Sequence, residues 1–243
     1  MILALLLAVA LLVTGAPAPA HAGDSLLDTV GEDFHSYVQP RTLLILGVGG
    51  AATVLAHQVE DPQEQAEFFS QDGLSTIGDI GNVYGSPVTQ FALSGIVYGV
   101  GHFQDNEEAR ETGYQMARAL AYTYAAVGVL KVVVDRTRPN GEKYSFPSGH
   151  AAGSFATAPI LMKHYGWRAG VPAYLLGVAA GIGRMKDSKH YLSDVVFGAT
   201  LGLSVGVAVS SRDAGDAPAA GGASTSRLEM NAIPGGAGIS YRF

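Results

Sequence analysis

A chain of 243 residues is long enough for one domain with a sizeable core. Its net charge of −6, with no basic stripe and no groove-reading motif, argues against a nucleic-acid partner. Cysteine is absent, which excludes disulfides and thiolate metal sites, and with 48% hydrophobic and 15% charged residues the chain is more apolar than most soluble domains, yet less so than one made only of spanning helices.

The N-terminus reads as an export signal. Residues 2–13 form an apolar run, and Ala20-His21-Ala22 gives an A-x-A site before Gly23, so residues 1–22 are expected to be a cleaved signal peptide. No Lys or Arg precedes the run, and an uncleaved anchor helix is the alternative; either one exports the chain. The expectation is a periplasmic protein, membrane-associated or integral. A polar segment, 23–40, follows.

Apolar stretches then come at 42–59, 83–101, 117–134, 151–165, 171–182 and 193–209. Their lengths and their Ala, Leu and Gly content predict helices rather than strands. Asp61-Pro62, Gly85-Ser86-Pro87, Arg138-Pro139-Asn140-Gly141 and the segment 166–170 separate them. The predicted fold is all-α, a six-helix domain over 41–211. Residues 212–243 form a tail: 212–238 is rich in Ala, Gly, Ser and Asp and reads as a flexible linker, while Ile239-Ser240-Tyr241-Arg242-Phe243 alternates like a short strand.

A spanning helix needs about 20 apolar residues, and several stretches fall short or carry Tyr, Ser, Thr and His. Helix parity adds a constraint. Were every stretch to span, the chemistry described next would face the cytoplasm, so an extracytoplasmic site requires at least one stretch not to span. A largely globular or membrane-associated helical domain satisfies this.

Three clusters carry chemistry. In Lys131-Val-Val-Val-Asp-Arg-Thr-Arg138-Pro139, a lysine on an apolar helix is costly unless an anion meets it. Lys131 and Arg138 are two helical turns apart, and Pro139 stops the helix, leaving two cations at its end to grip phosphate. A positive last turn complementing the helix dipole is the other reading. Asp135 and Arg136 read as a surface ion pair and a solvated charge. In Pro147-Ser148-Gly149-His150, Ser148 is a good N-cap and Gly149 lets a ligand approach the free N–H groups of a helix start. His150 lies in that first turn, where a nearby anion would account for it; an ordinary capped helix with a surface histidine is the alternative. In the third cluster, His190 and Asp194 are four residues apart, with Arg184 six residues before. A helix starting near His190 puts both on one face, so that the carboxylate fixes the imidazole tautomer. A surface histidine–aspartate pair would look the same. His21, His35, His57, His102 and His164 are given no role. No metal-binding pattern such as H-E-x-x-H and no P-loop is present.

Taken together, these clusters resemble the three motifs of the type 2 phosphatidic acid phosphatase superfamily, which includes lipid phosphate phosphatases, bacterial acid phosphatases and vanadium haloperoxidases. Its pattern is K-x6-R-P, then P-S-G-H, then S-R-x5-H-x3-D. Lys131, Arg138 and Pro139 match the first, Pro147 through His150 the second, and Arg184, His190 and Asp194 the third; Gly183 stands where serine is usual. The resemblance implies an α-helical fold with all three motifs converging on one phosphate. It implies that His190 attacks phosphorus, Asp194 orients it, and His150 protonates the leaving alcohol. Lys131, Arg138, Arg184, Ser148 and the Gly149 N–H would hold the phosphoryl oxygens, with no metal or other cofactor. The substrate is expected to be a phosphorylated small molecule or lipid, hydrolysed at a membrane surface. The two histidines need opposite protonation states, which predicts a bell-shaped pH profile. Vanadate-dependent haloperoxidation and a non-catalytic phosphate-binding envelope protein are the competing readings.

Overall fold

A computed structural model describes residues 37–215, 227–233 and 236–242, so the expected signal peptide and residues 23–36 of the segment 23–40 lie outside the described residues. Two compact units divide the chain after Arg212. The first is all-helical, as the sequence predicts. Its helices are α1 (Pro40–Val59), α2 (Pro62–Phe69), α3 (Leu74–Tyr84), α4 (Pro87–Phe103), α5 (Glu107–Val134), α6 (Gly149–Tyr165), α7 (Trp167–Lys186) and α8 (Leu192–Gly215). Six of these correspond to the six apolar stretches; the short helices α2 and α3 are additional. The stretch 83–101 is broken at Gly85-Ser86, where Ser86 caps α4 by accepting from the Thr89 N–H and Pro87 takes the first helical position. Asp61, Asn106 and Ser148 cap α2, α5 and α6 in the same way.

Helix α4 packs on α5, α5 on α6, α6 on α7, and both α2 and α3 on α7. Helix α8 lies on α6 through Gly198, Gly202 and Gly206. A Cβ at these positions would stand 2.5, 2.0 and 2.2 Å from the carbonyl oxygens of Ser148, Ala152 and Ala156, so only glycine permits the approach. Met116, Ala119, Ala156, Ile160, Val205 and Val209 form the core beside this seam.

The helix directions decide where chemistry can gather. Hydrogen bonds join Glu60, just past α1, to Arg136, just past α5, and to Ser193 in α8. The Ser148 N–H, at the start of α6, donates to the Asp194 carbonyl, and the His190 N–H to the Arg184 carbonyl of α7. Three helix C-termini and two N-termini therefore meet at one end.

Three helices, Pro40–Val59, Glu107–Val134 and Leu192–Ser211, are long and apolar enough to cross a membrane. Leu43, Leu44, Val48 and Leu55 on α1, and Val129, Val132 and Val133 on α5, are exposed. Apolar surface of this extent fits contact with lipid better than with water.

Within the expected tail, Arg227–Ile233 and Gly236–Arg242 pair as an antiparallel ribbon, with Leu228 opposite Tyr241 and Met230 opposite Ile239. The strand read at the chain end is the second of these, and its partner lies in a segment whose composition alone reads as linker.

Candidate active site

The third cluster is built by a turn. Helix α7 ends at Lys186, and the Arg184 carbonyl then accepts from the N–H groups of Lys189 and His190 at 2.9 and 3.3 Å. That closure carries His190 back over the helix end, and the next helix begins two residues later. Asp194 falls in the first turn of α8, where a carboxylate suits the helix dipole. Its Oδ2 accepts from the Tyr191 N–H at 2.9 Å and from Ser145 Oγ at 2.5 Å. His190 Nδ1 faces the same oxygen at 3.6 Å, an ion-pair distance too long for a hydrogen bond. Both side chains are buried, at 3% and 0% exposure.

The first cluster departs from the helical geometry expected. Helix α5 stops at Val134, and Asp135 is left-handed at φ 43°. Lys131 stays on the last turn and donates to the Tyr144 carbonyl at 2.6 Å. Arg138 is instead on a loop, pinned by its N–H to the Glu142 carbonyl and by its carbonyl to the Gly141 N–H. The loop, not a shared helical face, brings the two cations together, because Pro139 disfavours α geometry at Arg138.

Two of the guanidinium groups are incompletely used. Arg138 binds Glu142 at 2.8 Å and Arg184 binds the Asn82 amide oxygen at 3.3 Å. The Nε of each is nevertheless buried without a hydrogen-bond partner. Buried donors without partners are costly, and an anion would satisfy them. Ser148 is fully buried, and its hydroxyl accepts from the Ala151 N–H, leaving its own proton free to donate. A Cβ at Gly149 would find only ordinary contacts, 3.6 Å from Tyr124 and Val127, so packing does not demand glycine there.

These groups act on one another electrostatically. Burial, then the positive charges of Arg184, His190, Lys131 and Arg138, push the His150 imidazole down to about 3. His190 is held at about 4: burial lowers it, Asp194 pulls it back up, and Lys131 and Arg184 lower it again. The structure thus brings Lys131, Arg138, His150, Arg184 and His190 into one electrostatic field, with the Asp194 carboxylate against His190 and Ser148 joined to Asp194 by its N–H.

Three further residues belong to this constellation. Arg136, read from sequence as a solvated charge, donates to Asp194 Oδ1 at 2.7 Å and to Ser193 Oγ at 2.8 Å, and it stacks 3.9 Å over the Tyr191 ring. Asp135 does take part in a surface ion pair, facing Lys143 at 3.8 Å, but the solvated charge expected at Arg136 is corrected: beyond the left-handed Asp135 its guanidinium turns inward to Asp194. Ser145 supports Asp194, and Glu60 binds Arg136 at 2.6 Å. A buried carboxylate at Asp194 needs a cation, and that need was the available signal for Arg136; nothing near Glu60 in the sequence points to it.

Gly183 has a steric explanation. A Cβ there would stand 2.3 Å from the Gly78 carbonyl oxygen and 2.8 Å from the Asn82 amide. Helix α3 occupies the space a serine side chain would take, and Asn82 from that helix holds Arg184 while its amide N–H donates to Asp187 at 2.8 Å. Gly183→Ser should lower stability by about 1–3 kcal/mol through overpacking. Chemical denaturation checks this, and an unchanged midpoint would show that α3 yields.

Residues 113–213 match the family model of the PAP2 superfamily. A lipid A 1-phosphatase from Porphyromonas gingivalis is 36% identical over 94 residues, covering 37% of this chain and 21% of that protein. The match thus spans only about a fifth of that relative's length. The crystal structure of a transmembrane PAP2-type phosphatidylglycerolphosphate phosphatase from Bacillus subtilis superposes with a TM-score of 0.51 at 19% identity. It covers 76% of this chain and 97% of the other, a likeness of fold.

Proposed function

We propose that this chain, whose residues 113–213 match the PAP2 superfamily, is a phosphatase of phosphomonoesters or pyrophosphates carried by lipids, acting through a phosphohistidine on His190. The observation that carries the reading is the pair of buried, unpartnered guanidinium nitrogens on Arg138 and Arg184, in one field of positive charge with Lys131 and the two imidazoles. The exposed apolar faces and the names of the two relatives favour a lipid phosphate over a soluble one. No metal or other cofactor enters the scheme. A periplasmic site in an exported chain with a cleaved leader requires that α1 not cross the bilayer, as helix parity dictates.

In this scheme His190 Nδ1 carries its proton toward Asp194, and Nε2 attacks phosphorus. The P–O bond to the leaving group breaks as the N–P bond forms, and the departing oxygen takes a proton from His150. Water then attacks the phosphohistidine, gives a proton to His150, and releases phosphate with a neutral His190. Lys131, Arg138 and Arg184, with the Ser148 hydroxyl and the Gly149 N–H, neutralise the charge on the transferring group. Positioning and neutralisation supply most of the acceleration in such a transfer.

The pH dependence follows with a definite sign. His190 must be neutral to attack, so kcat/KM falls as pH drops through its value of about 4. His150, at about 3 in the empty site, is neutral near pH 6 and cannot bring the proton itself. A substrate monoanion, with a second ionisation near about 6, can carry it in, and its charge then raises His150. The profile is therefore bell-shaped, and the alkaline limb moves with the second ionisation of the substrate. Measuring kcat/KM on lipid phosphates in mixed micelles and on soluble esters of differing second ionisation tests both points. An alkaline limb that ignores the substrate would contradict the proton route, and activity confined to soluble esters would contradict the lipid assignment.

A further inference from the structure

Glu60 lies just beyond the C-terminus of α1, far outside the segment that matches the family. The dipole at a helix C-terminus disfavours a carboxylate there. The side chain is nevertheless only 5% exposed, and its partners are separated from it by 76 and 133 residues. Both oxygens are saturated. Oε1 faces Arg136 and His57 Nδ1, each at 2.6 Å; Oε2 accepts from the Ser193 N–H at 2.9 Å and from its hydroxyl at 2.7 Å. Burial alone would raise this carboxyl, but the bonds from Ser193, His57 and Arg136 outweigh it and hold it below the ordinary range.

The donor directions run one way. The Ser193 hydroxyl gives its proton to Glu60 and so can accept from Arg136, whose other contact on the same nitrogen is Asp194. Arg136 is thereby fixed between two carboxylates, one of which faces the His190 ring. Without Glu60, Arg136 is free to pivot on Tyr191 and draw Asp194 with it, and the first turn of α8 loses the acceptor for its Ser193 N–H. We propose that Glu60 is a positioning residue for the His190–Asp194 pair, acting through Arg136 and Ser193, so that α1 is part of the catalytic unit. The proposal rests on the reading of His190 as the nucleophile.

The test uses the full chain in detergent micelles. Glu60→Gln keeps the shape but replaces an acceptor by an N–H that meets donors, so a packing role survives it and a positioning role does not. The expected result is a kcat lower by roughly 10–100-fold with KM within about twofold, the size that a small misplacement of a reacting group produces. Glu60→Asp, which keeps the charge, recovers part of the loss. The double variant Glu60→Gln/Arg136→Lys is no slower than Arg136→Lys alone. Glu64→Gln, an exposed position on α2, leaves kcat unchanged.

Side-chain nitrogen NMR of the histidines gives a readout independent of turnover. The groups facing His190 are Asp194, Lys131, Arg184 and His150, with Arg136 behind Asp194. Removing the Glu60 charge makes this field more positive, so the His190 midpoint falls in Glu60→Gln and stays in Glu64→Gln. A kcat within twofold of wild type together with an unmoved His190 resonance would overturn the proposal. If the resonance moves while the wild type hydrolyses neither lipid phosphates nor soluble phosphate esters, the positioning stands and the phosphatase reading fails.

Discussion

His190→Ala is expected to abolish phosphate release, leaving only the solution background. The nucleophile has no substitute at its position. Among the described residues the other imidazole in the same field is His150, held in the first turn of α6, which the proposed scheme uses on the leaving-group side. Asp194 is spent on Arg136, Ser145 and the Tyr191 N–H. Removing a buried ring also leaves a cavity, so loss of activity alone is ambiguous. Vanadate binding resolves it: Lys131, Arg138 and Arg184 remain, and a folded His190→Ala protein should still bind the anion. Turnover at wild-type rate on any phosphomonoester would end the phosphohistidine mechanism.

His150→Ala slows turnover by roughly 10²–10⁴-fold on an alkyl phosphate, the range expected for loss of a general acid–base group. The loss depends on the leaving group. An alkoxide must be protonated as it departs, whereas a nitrophenolate need not be, so the phosphorylation step on an aryl ester is nearly spared. Hydrolysis of the phosphoenzyme still lacks its base in the variant, so phosphoprotein accumulates with the aryl substrate. Rapid-quench kinetics on the two ester types checks this. An equal loss in the burst phase of both would place His150 in phosphate binding rather than in proton transfer.

The parts of the site that were legible in the sequence are those whose geometry is local. Ser148 and Gly149 open a helix because capping is a property of neighbouring residues, and the interval from Arg184 to His190 is one helix end plus one turn. What was illegible depends on elements that meet only in the fold. Arg136 looks solvated in the sequence because the carboxylate it serves lies 58 residues away. Glu60 is farther still from its partners, and the steric demand at Gly183 comes from α3, a helix too short to stand out by apolar length. Lys131 and Arg138 are spaced like neighbours on one helical face, whereas the left-handed Asp135 ends the helix three residues before Arg138. The fold class was readable from the apolar stretches, since length and composition decide helix over strand. The pairing of 227–233 with 236–242 was not, because a ribbon is defined by register rather than by composition.

The covalent intermediate is the central claim, and it can be trapped directly. The wild-type chain and the His150→Ala variant would be quenched in alkali during turnover of an aryl phosphate, digested, and the phosphorylated peptide sequenced by mass spectrometry. The account predicts an acid-labile, base-stable phosphate on His190, more abundant in the variant. A phosphate found on another residue, or none while burst kinetics show a phosphoenzyme, would contradict it.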